Sequence, residues 1–375
     1  MAELHHDDHA PVAAELGLRG GDVVAEAARG ELRRLILLLE RHGHGFSSRG
    51  RATGYDIRGG GGGHRLCRSA DVRRAADRDA GGMLELIDIT KVYDGRKRAV
   101  DGLTLRLGPG LAGLLGPNGA GKSSLLRIAA TVTRPTGGQV RFDGADAVAR
   151  PGPLRRALGY LPQDFGVYPH LTGLEFLTYL AAVRGISGRS AKARIGELLE
   201  LVNLAHAAKR PLGGYSGGML RRIGIAQALL ADPRIIVVDE PTAGLDPEER
   251  VRFRNLLSDL SADRTVLLST HIVSDVESVA TRIVVVTGGR VRFDGEPDGL
   301  VRGVAGHVWE LAVPPAELAA VQRRLPVTRL IRAAGHVRVR VLATHRPAPD
   351  ATPVAPDLED AYLAVVHRSR TQVAA

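Results

Sequence analysis

The stretch Gly116-Pro117-Asn118-Gly119-Ala120-Gly121-Lys122-Ser123 decides how this chain is read, because it satisfies the pattern G-x-x-x-x-G-K-[ST]. Glycines let the backbone curl until its N–H groups converge on a phosphate, and the helix that opens near Gly121 adds its positive dipole end. Lys122 then reaches the β/γ oxygens of a nucleotide, and Ser123 offers its hydroxyl to Mg²⁺. Leu111-Ala112-Gly113-Leu114-Leu115 supplies the buried strand that must precede such a loop, and Ser124-Leu125-Leu126-Arg127-Ile128 continues it as a helix. The candidate nucleotide-binding set is therefore Gly116, Pro117, Asn118, Gly119, Ala120, Gly121, Lys122, Ser123 and Ser124. The chain has five lysines against 46 glycines, so the glycines alone do not account for the match.

Far downstream, Ile235-Ile236-Val237-Val238-Asp239-Glu240 is a β-branched run without polar alternation, as expected of a parallel strand covered on both faces. Two carboxylates close it. At the carboxyl end of a strand, Asp239 is placed to hold Mg²⁺ and Glu240 to polarise an attacking water. Unpaired acids buried there would be costly without such partners.

With both motifs in view, the chain resembles the ATP-binding subunit of an ABC transporter; Phe165-Gly166-Val167-Tyr168-Pro169-His170-Leu171-Thr172 and the ending Leu358-Glu359-Asp360-Ala361-Tyr362-Leu363 further resemble ATPases that serve exporters with a separate permease. Further segments carry the resemblance in order. Ile89-Thr90-Lys91-Val92-Tyr93 is similar to the segment whose aromatic stacks on adenine, which implies that role for Tyr93. Tyr160-Leu161-Pro162-Gln163 resembles the glutamine loop, implying that Gln163 touches Mg²⁺ and the attacking water. Tyr215-Ser216-Gly217-Gly218-Met219 resembles the family signature, Ala243-Gly244-Leu245-Asp246 the dimer loop, and Ser269-Thr270-His271 the histidine switch. The resemblance implies that the candidate nucleotide-binding set, Gly116 to Ser124, is an ATP site, that Glu240, His271 and Gln163 are catalytic, and that Ser216, Gly217 and Gly218 bind the ATP of the opposite subunit. It further implies a homodimer, an integral membrane permease as partner, and a place on the inner face of the cell membrane.

The fold that goes with this is α/β: an ATPase core with a mainly parallel sheet, an antiparallel β subdomain, a helical subdomain and a small C-terminal α+β appendage. The signature departs from its commonest form, which ends in glutamine. S-G-G-Q has the form of a capping box, and Met219 cannot return a bond to the cap residue. Ser216 and its glycines still present a hydroxyl and bare amides to an anion.

Composition agrees. At 375 residues the chain accommodates a nucleotide-binding domain and further material. Its single cysteine, Cys67, excludes a disulfide framework. No span approaches about 18 consecutive apolar residues, so the membrane must be met through a partner. The net charge of +10 comes mostly from dispersed arginines, and aromatics are 4%, so neither a stacking platform nor a compact basic stripe is visible and no nucleic acid is expected.

Residues 1–82 read as a disordered extension, apart from helical spacing over Val23 to Arg41, and Met83 is a candidate start. Residues 83–300 are expected to form the ATP-binding domain and 301–375 a small accessory domain. Gly137 to Gly144 and Gly288 to Gly295 are near copies, read as shared hairpin chemistry. Thr172-Gly173-Leu174-Glu175 is a capping box opening a helix through Val183. Strands are expected at Val308 to Val313 and Val337 to Leu342, helices at Pro315 to Arg324 and Leu358 to Val366, and a linker at Pro347 to Pro356. The alternative function is that of a soluble ABC-type ATPase acting on ribosome or nucleic acid.

Overall fold

Alternating apolar residues from Leu84 to Leu107, broken by a polar turn, build the first hairpin: β1 (Leu84–Tyr93) pairs antiparallel with β2 (Lys97–Leu107). The computed structural model describes residues 83–374. The extension and the Val23 to Arg41 helix lie outside the described residues. β3 (Gly110–Leu115) leads through the phosphate loop into α1 (Lys122–Ala129). β4 (Gly137–Phe142) and β5 (Ala145–Asp146) complete an antiparallel sheet of order β2-β1-β4-β5. α2 (Gly152–Ala157) and β6 (Leu158–Leu161) follow.

After the helices α3 (Gly173–Val183), α4 (Gly188–Leu201) and α5 (Gly217–Leu229), the chain returns to strands. These are β7 (Ile235–Asp239), β8 (Thr265–Thr270), β9 (Arg282–Thr287) and β10 (Arg290–Gly295), with α6 (Pro247–Ser261) and the single turn α7 (Ser274–Glu277) between them. The second sheet has the order β10-β9-β3-β8-β7-β6. β9, β3, β8, β7 and β6 run parallel and β10 antiparallel. The parallel strands are apolar almost throughout because both faces are covered. Leu84, Leu86 and Leu105 of one sheet and Ile235, Val237 and Leu267 of the other share a core with Leu125 and Leu126 of α1.

Residues 166–231 form a compact unit of their own. There the capping box is present in full: Thr172 Oγ1 accepts from the Glu175 N–H at 3.2 Å, and Glu175 Oε2 accepts from the Thr172 N–H at 2.9 Å. The Tyr215 hydroxyl donates to the Ala207 carbonyl at 2.8 Å, and an added Cβ at Gly173 would lie 2.6 Å from that hydroxyl. This is why the helix must begin on a glycine.

The remaining residues continue as α8 (Pro297–Arg302), β11 (Val308–Val313), α9 (Leu318–Arg324), β12 (Val327–Ala333), β13 (His336–Leu342), β14 (Thr352–Pro353) and α10 (Leu358–Ala374). Their sheet, β12-β13-β11-β14, has its own small core of Leu311, Val313, Val339 and Val341. Asp360, 1% exposed, accepts from Thr328 Oγ1 at 2.6 Å and pairs with Arg340 at 2.7 Å. Burial raises its pKa, whereas the hydrogen bond from Thr328 opposes that rise. The helix α10 packs on α8, β9 and β10.

Several expectations need correction. β12 was not anticipated, because most of it is exposed and Arg329 and Arg332 interrupt its apolar residues. The Pro347 to Pro356 linker contains β14, which pairs with Trp309 and Glu310. Residues 315–317 precede α9, and α10 runs past Val366. The near copies also do different jobs. In the first, Asp143 and Gly144, both at positive φ, make the β4–β5 turn; in the second, Gly288 and Gly289 turn β9 into β10, while Asp294 and Gly295 stay in the strand.

Candidate functional site

The phosphate loop is gripped from two sides. An added Cβ at Gly116 would meet the Val286 carbonyl at 2.4 Å, and one at Gly121 the Ala99 carbonyl at 2.2 Å. The Gly289 N–H donates to the Ala120 carbonyl at 3.0 Å. These positions are glycine because backbone from β2 and from the end of β9 closes on the loop.

The loop walls a cavity of about 320 Å³ with Asn118 to Ser124, Tyr93, Lys97, Ala99, Gln163 and Glu240. Tyr93, which stands 5.0 Å from Lys91 Nζ across its ring face, is thus brought beside a loop distant in sequence. Lys97 and Ala99 had no motif to reveal them; only the pairing of β2 puts them here.

Lys122 is 5% exposed and donates to the Gly116 and Pro117 carbonyls at 2.6 and 3.3 Å. Its Nζ lies 3.5 Å from Glu240 Oε1. Burial lowers its pKa, and the charges of Glu240 and Asp239 oppose that shift. His271 Nδ1 stands 3.3 Å from the same Glu240 oxygen. Glu240 holds φ at +45°, a left-handed conformation for a residue with a side chain, secured by its N–H donating to the Ser269 carbonyl at 3.0 Å.

Asp239, 1% exposed at the end of β7, accepts a short hydrogen bond from Ser269 Oγ. Ser123, Gln163 and Asp239 offer hydroxyl, amide and carboxylate oxygens, the hard donors that suit Mg²⁺. Among the described residues no group of three or more His, Cys, Asp or Glu forms a cage. That donor set fits an ion completed by phosphate oxygens and water.

Two predicted residues have structural duties as well. Asp246 caps α6, accepting from the Glu249 N–H at 2.8 Å. Ser216 caps α5, accepting from the Met219 N–H at 3.2 Å, while Gly217 has open space where a side chain would go. Ser216, Gly217 and Gly218 belong to the helical unit.

The profile of the ABC transporter family matches residues 100–243. Over 244 residues the chain is 39% identical to the daunorubicin/doxorubicin resistance ATP-binding protein DrrA of Streptomyces peucetius, covering 64% of this chain and 74% of that protein. The chain belongs to the ABC transporter ATP-binding family. The ABC transporter ATP-binding protein YxlF of Bacillus subtilis is 40% identical over 200 residues, 53% of this chain and 66% of that one. Among solved structures, a dimeric bacterial ABC transporter cassette superposes with a TM-score of 0.53 at 28% identity, covering 57% of this chain and 98% of that one. A post-hydrolysis dimer bound to ADP and Pi gives 0.52 at the same identity and coverage. This ABC ATPase binds and hydrolyses ATP to power transport, and ABC ATPase domains of its kind dimerise. Among the described residues no helix is long and apolar enough to cross a membrane.

Proposed function

We propose that this ABC ATPase works as a homodimer on a separate integral membrane permease, at the inner face of the cell membrane, and drives export. The observation that carries the reading is the cavity that gathers Tyr93, the phosphate loop, Gln163 and Glu240 around one buried lysine. Export is supported by two relatives: DrrA, named for daunorubicin/doxorubicin resistance, and the Nod factor export ATP-binding protein I of Rhizobium etli, 35% identical over 237 residues. The permease contact is assigned to the helical unit, where Tyr168 and Leu174 are exposed. A ribosome- or nucleic-acid-associated role is set aside because the family matched is that of ABC transporters and one of these relatives is named for export; no nucleic acid is expected as a partner. Residues 83–300 are taken as the ATP-binding domain and 301–375 as the accessory one, with α8 spanning the boundary.

In this reading Tyr93 stacks on adenine while Gly116 to Ser124 enclose the phosphates. Phosphoryl transfer to water needs positioning and charge stabilisation more than covalent chemistry. Lys122 leaves its carbonyl partners for the β/γ oxygens. Glu240 accepts the proton of the attacking water, and His271 and Gln163 orient water and γ-phosphate. Ser123, Asp239 and Gln163 would hold Mg²⁺, which when bound neutralises phosphate charge. Ser216, Gly217 and Gly218 serve the ATP of the opposite subunit, with Asp246 in the loop at the dimer contact.

Mixing two damaged chains tests the shared site. Ser216→Arg and Lys122→Ala injure different halves of one site, so a mixed dimer has one site lacking both groups and one intact. Each variant alone should be inactive, and the mixture should recover nucleotide-dependent dimerisation and some hydrolysis. No recovery, with a wild-type rate linear in protein from the lowest concentrations and no dimer by light scattering, would refute the reading.

A further inference from the structure

Among the buried charged groups, Asp275 has no place in the chemistry above. It lies in the one-turn helix α7 and is 1% exposed. A carboxylate so buried is costly unless it is hydrogen-bonded, and an apolar residue of similar volume often serves stability as well. Its partners explain its presence. The same Asp275 oxygen, Oδ2, accepts a short hydrogen bond from Thr242 Oγ1 and another from Thr270 Oγ1 at 3.3 Å. Thr242 follows Glu240 by two residues, and Thr270 immediately precedes His271. Thr270 Oγ1 in turn accepts the Ile272 N–H at 3.0 Å, which shapes the turn carrying the histidine. Both threonines are buried.

We infer that Asp275 is a positioning residue, whose Oδ2 registers the Glu240 loop and the His271 loop to each other for hydrolysis. This rests on the reading of Glu240 and His271 as the pair that orients the water. The two side chains stand 3.3 Å apart although they leave different strands; besides that contact and the Ser269–Asp239 hydrogen bond at the strand ends, Asp275 is what ties the two segments by side chains among the contacts described above. Asp275 is itself anchored. Its neighbour Val276 presses on β3 so closely that a Cβ at Gly113 would lie 2.7 Å from Val276 Cγ1. Arg254 Nη1 donates to the Ser274 carbonyl at 2.6 Å, holding the same turn from α6. The strand that feeds the phosphate loop, the acid loop and the histidine loop thus share one reference. A misplacement of about 1 Å at a reacting group costs on the order of a hundredfold in rate, so such a reference acts on turnover.

The test uses the full chain with Mg·ATP. Asp275→Leu keeps bulk but leaves both hydroxyls without their acceptor; kcat should fall at least about tenfold, with KM and nucleotide affinity within about threefold, since no group lining the cavity is altered. Asp275→Asn can still offer one oxygen to both threonines, and should restore kcat to within about threefold of wild type. Thr242→Val exchanges one hydroxyl for a methyl and should lower kcat by about three- to tenfold at unchanged KM, which keeps the idea testable if Asp275→Leu does not fold.

An Asp275→Leu or Thr242→Val enzyme within about twofold of wild-type kcat would overturn the inference, as would Asn and Leu variants equally impaired or a loss confined to KM. Glu240→Gln is run in parallel. If it is nearly silent while the Asp275 and Thr242 variants are normal, only the positioning role fails; if Glu240→Gln itself turns over at the wild-type rate, the reading of Glu240 fails and the inference with it.

Discussion

Gly121→Ala is expected to unfold the ATPase core at a clearly lower temperature, for two separable reasons. Gly121 holds φ at +103°, and a Cβ there would sit 2.2 Å from the Ala99 carbonyl oxygen, against 3.4 Å or more for an ordinary contact. The φ strain alone costs about 1–3 kcal/mol. The overlap requires β2 and the loop to separate by more than an ångström, and β2 is held by its ladder to β1 and by the Asp101 N–H donating to the Gly289 carbonyl at 3.0 Å. A total of at least about 3 kcal/mol follows, close to the upper end of single substitutions.

For an ATPase core of about 220 residues unfolding as one unit, that corresponds to a fall in Tm of roughly 6–12 °C. Gly119→Ala separates the two contributions: φ is +80° but nothing lies within 4 Å of the added carbon, so only strain is incurred. Thermal unfolding followed by circular dichroism without nucleotide, on both variants, is the assay. Midpoints within about 2 °C of each other would refute the view that backbone closing on Gly121 dictates glycine there.

Two further expectations follow from local geometry. Met219→Gln should complete the capping box at Ser216 and stabilise α5 by about 0.5–1 kcal/mol, read as a raised urea midpoint at unchanged slope; an unaltered midpoint would mean the returned bond does not form. Asp101 is held between Arg98 at 2.6 Å and Arg290 at 2.7 Å, and chiefly the Arg98 hydrogen bond lowers its pKa. A depressed folded-state pKa contributes stability that is present above the unfolded value and lost as pH falls through the folded one, below about pH 4. The Tm difference between wild type and Asp101→Asn should therefore shrink on acidification, and a constant difference across that range would contradict the linkage.

The parallel sheet was legible because its strands are continuous apolar runs, and the loops at their ends were legible because phosphate chemistry restricts which residues can stand there. What escaped reading has physical reasons. β12 carries Arg329 and Arg332 and exposes most of its length, so no apolar alternation marks it. α7 is a single turn, too short for any helical period, and with it went Asp275, whose partners Thr242 and Thr270 converge only in three dimensions. Lys97 and Ala99 reach the cavity by strand pairing alone. The two near copies differ because pairing partners, not the residues themselves, decide which dipeptide turns.

The last helix has a consequence for where this chain can be cut or joined. α10 is fastened to the appendage sheet through Asp360, yet it also lies against β9, the strand next to the one that feeds the phosphate loop. Ala361, Tyr362 and Ala364 are buried within it. A truncation before Leu358 would strip cladding from the nucleotide-binding sheet itself, and a swap of appendages between relatives must carry the matching helix along with its strands.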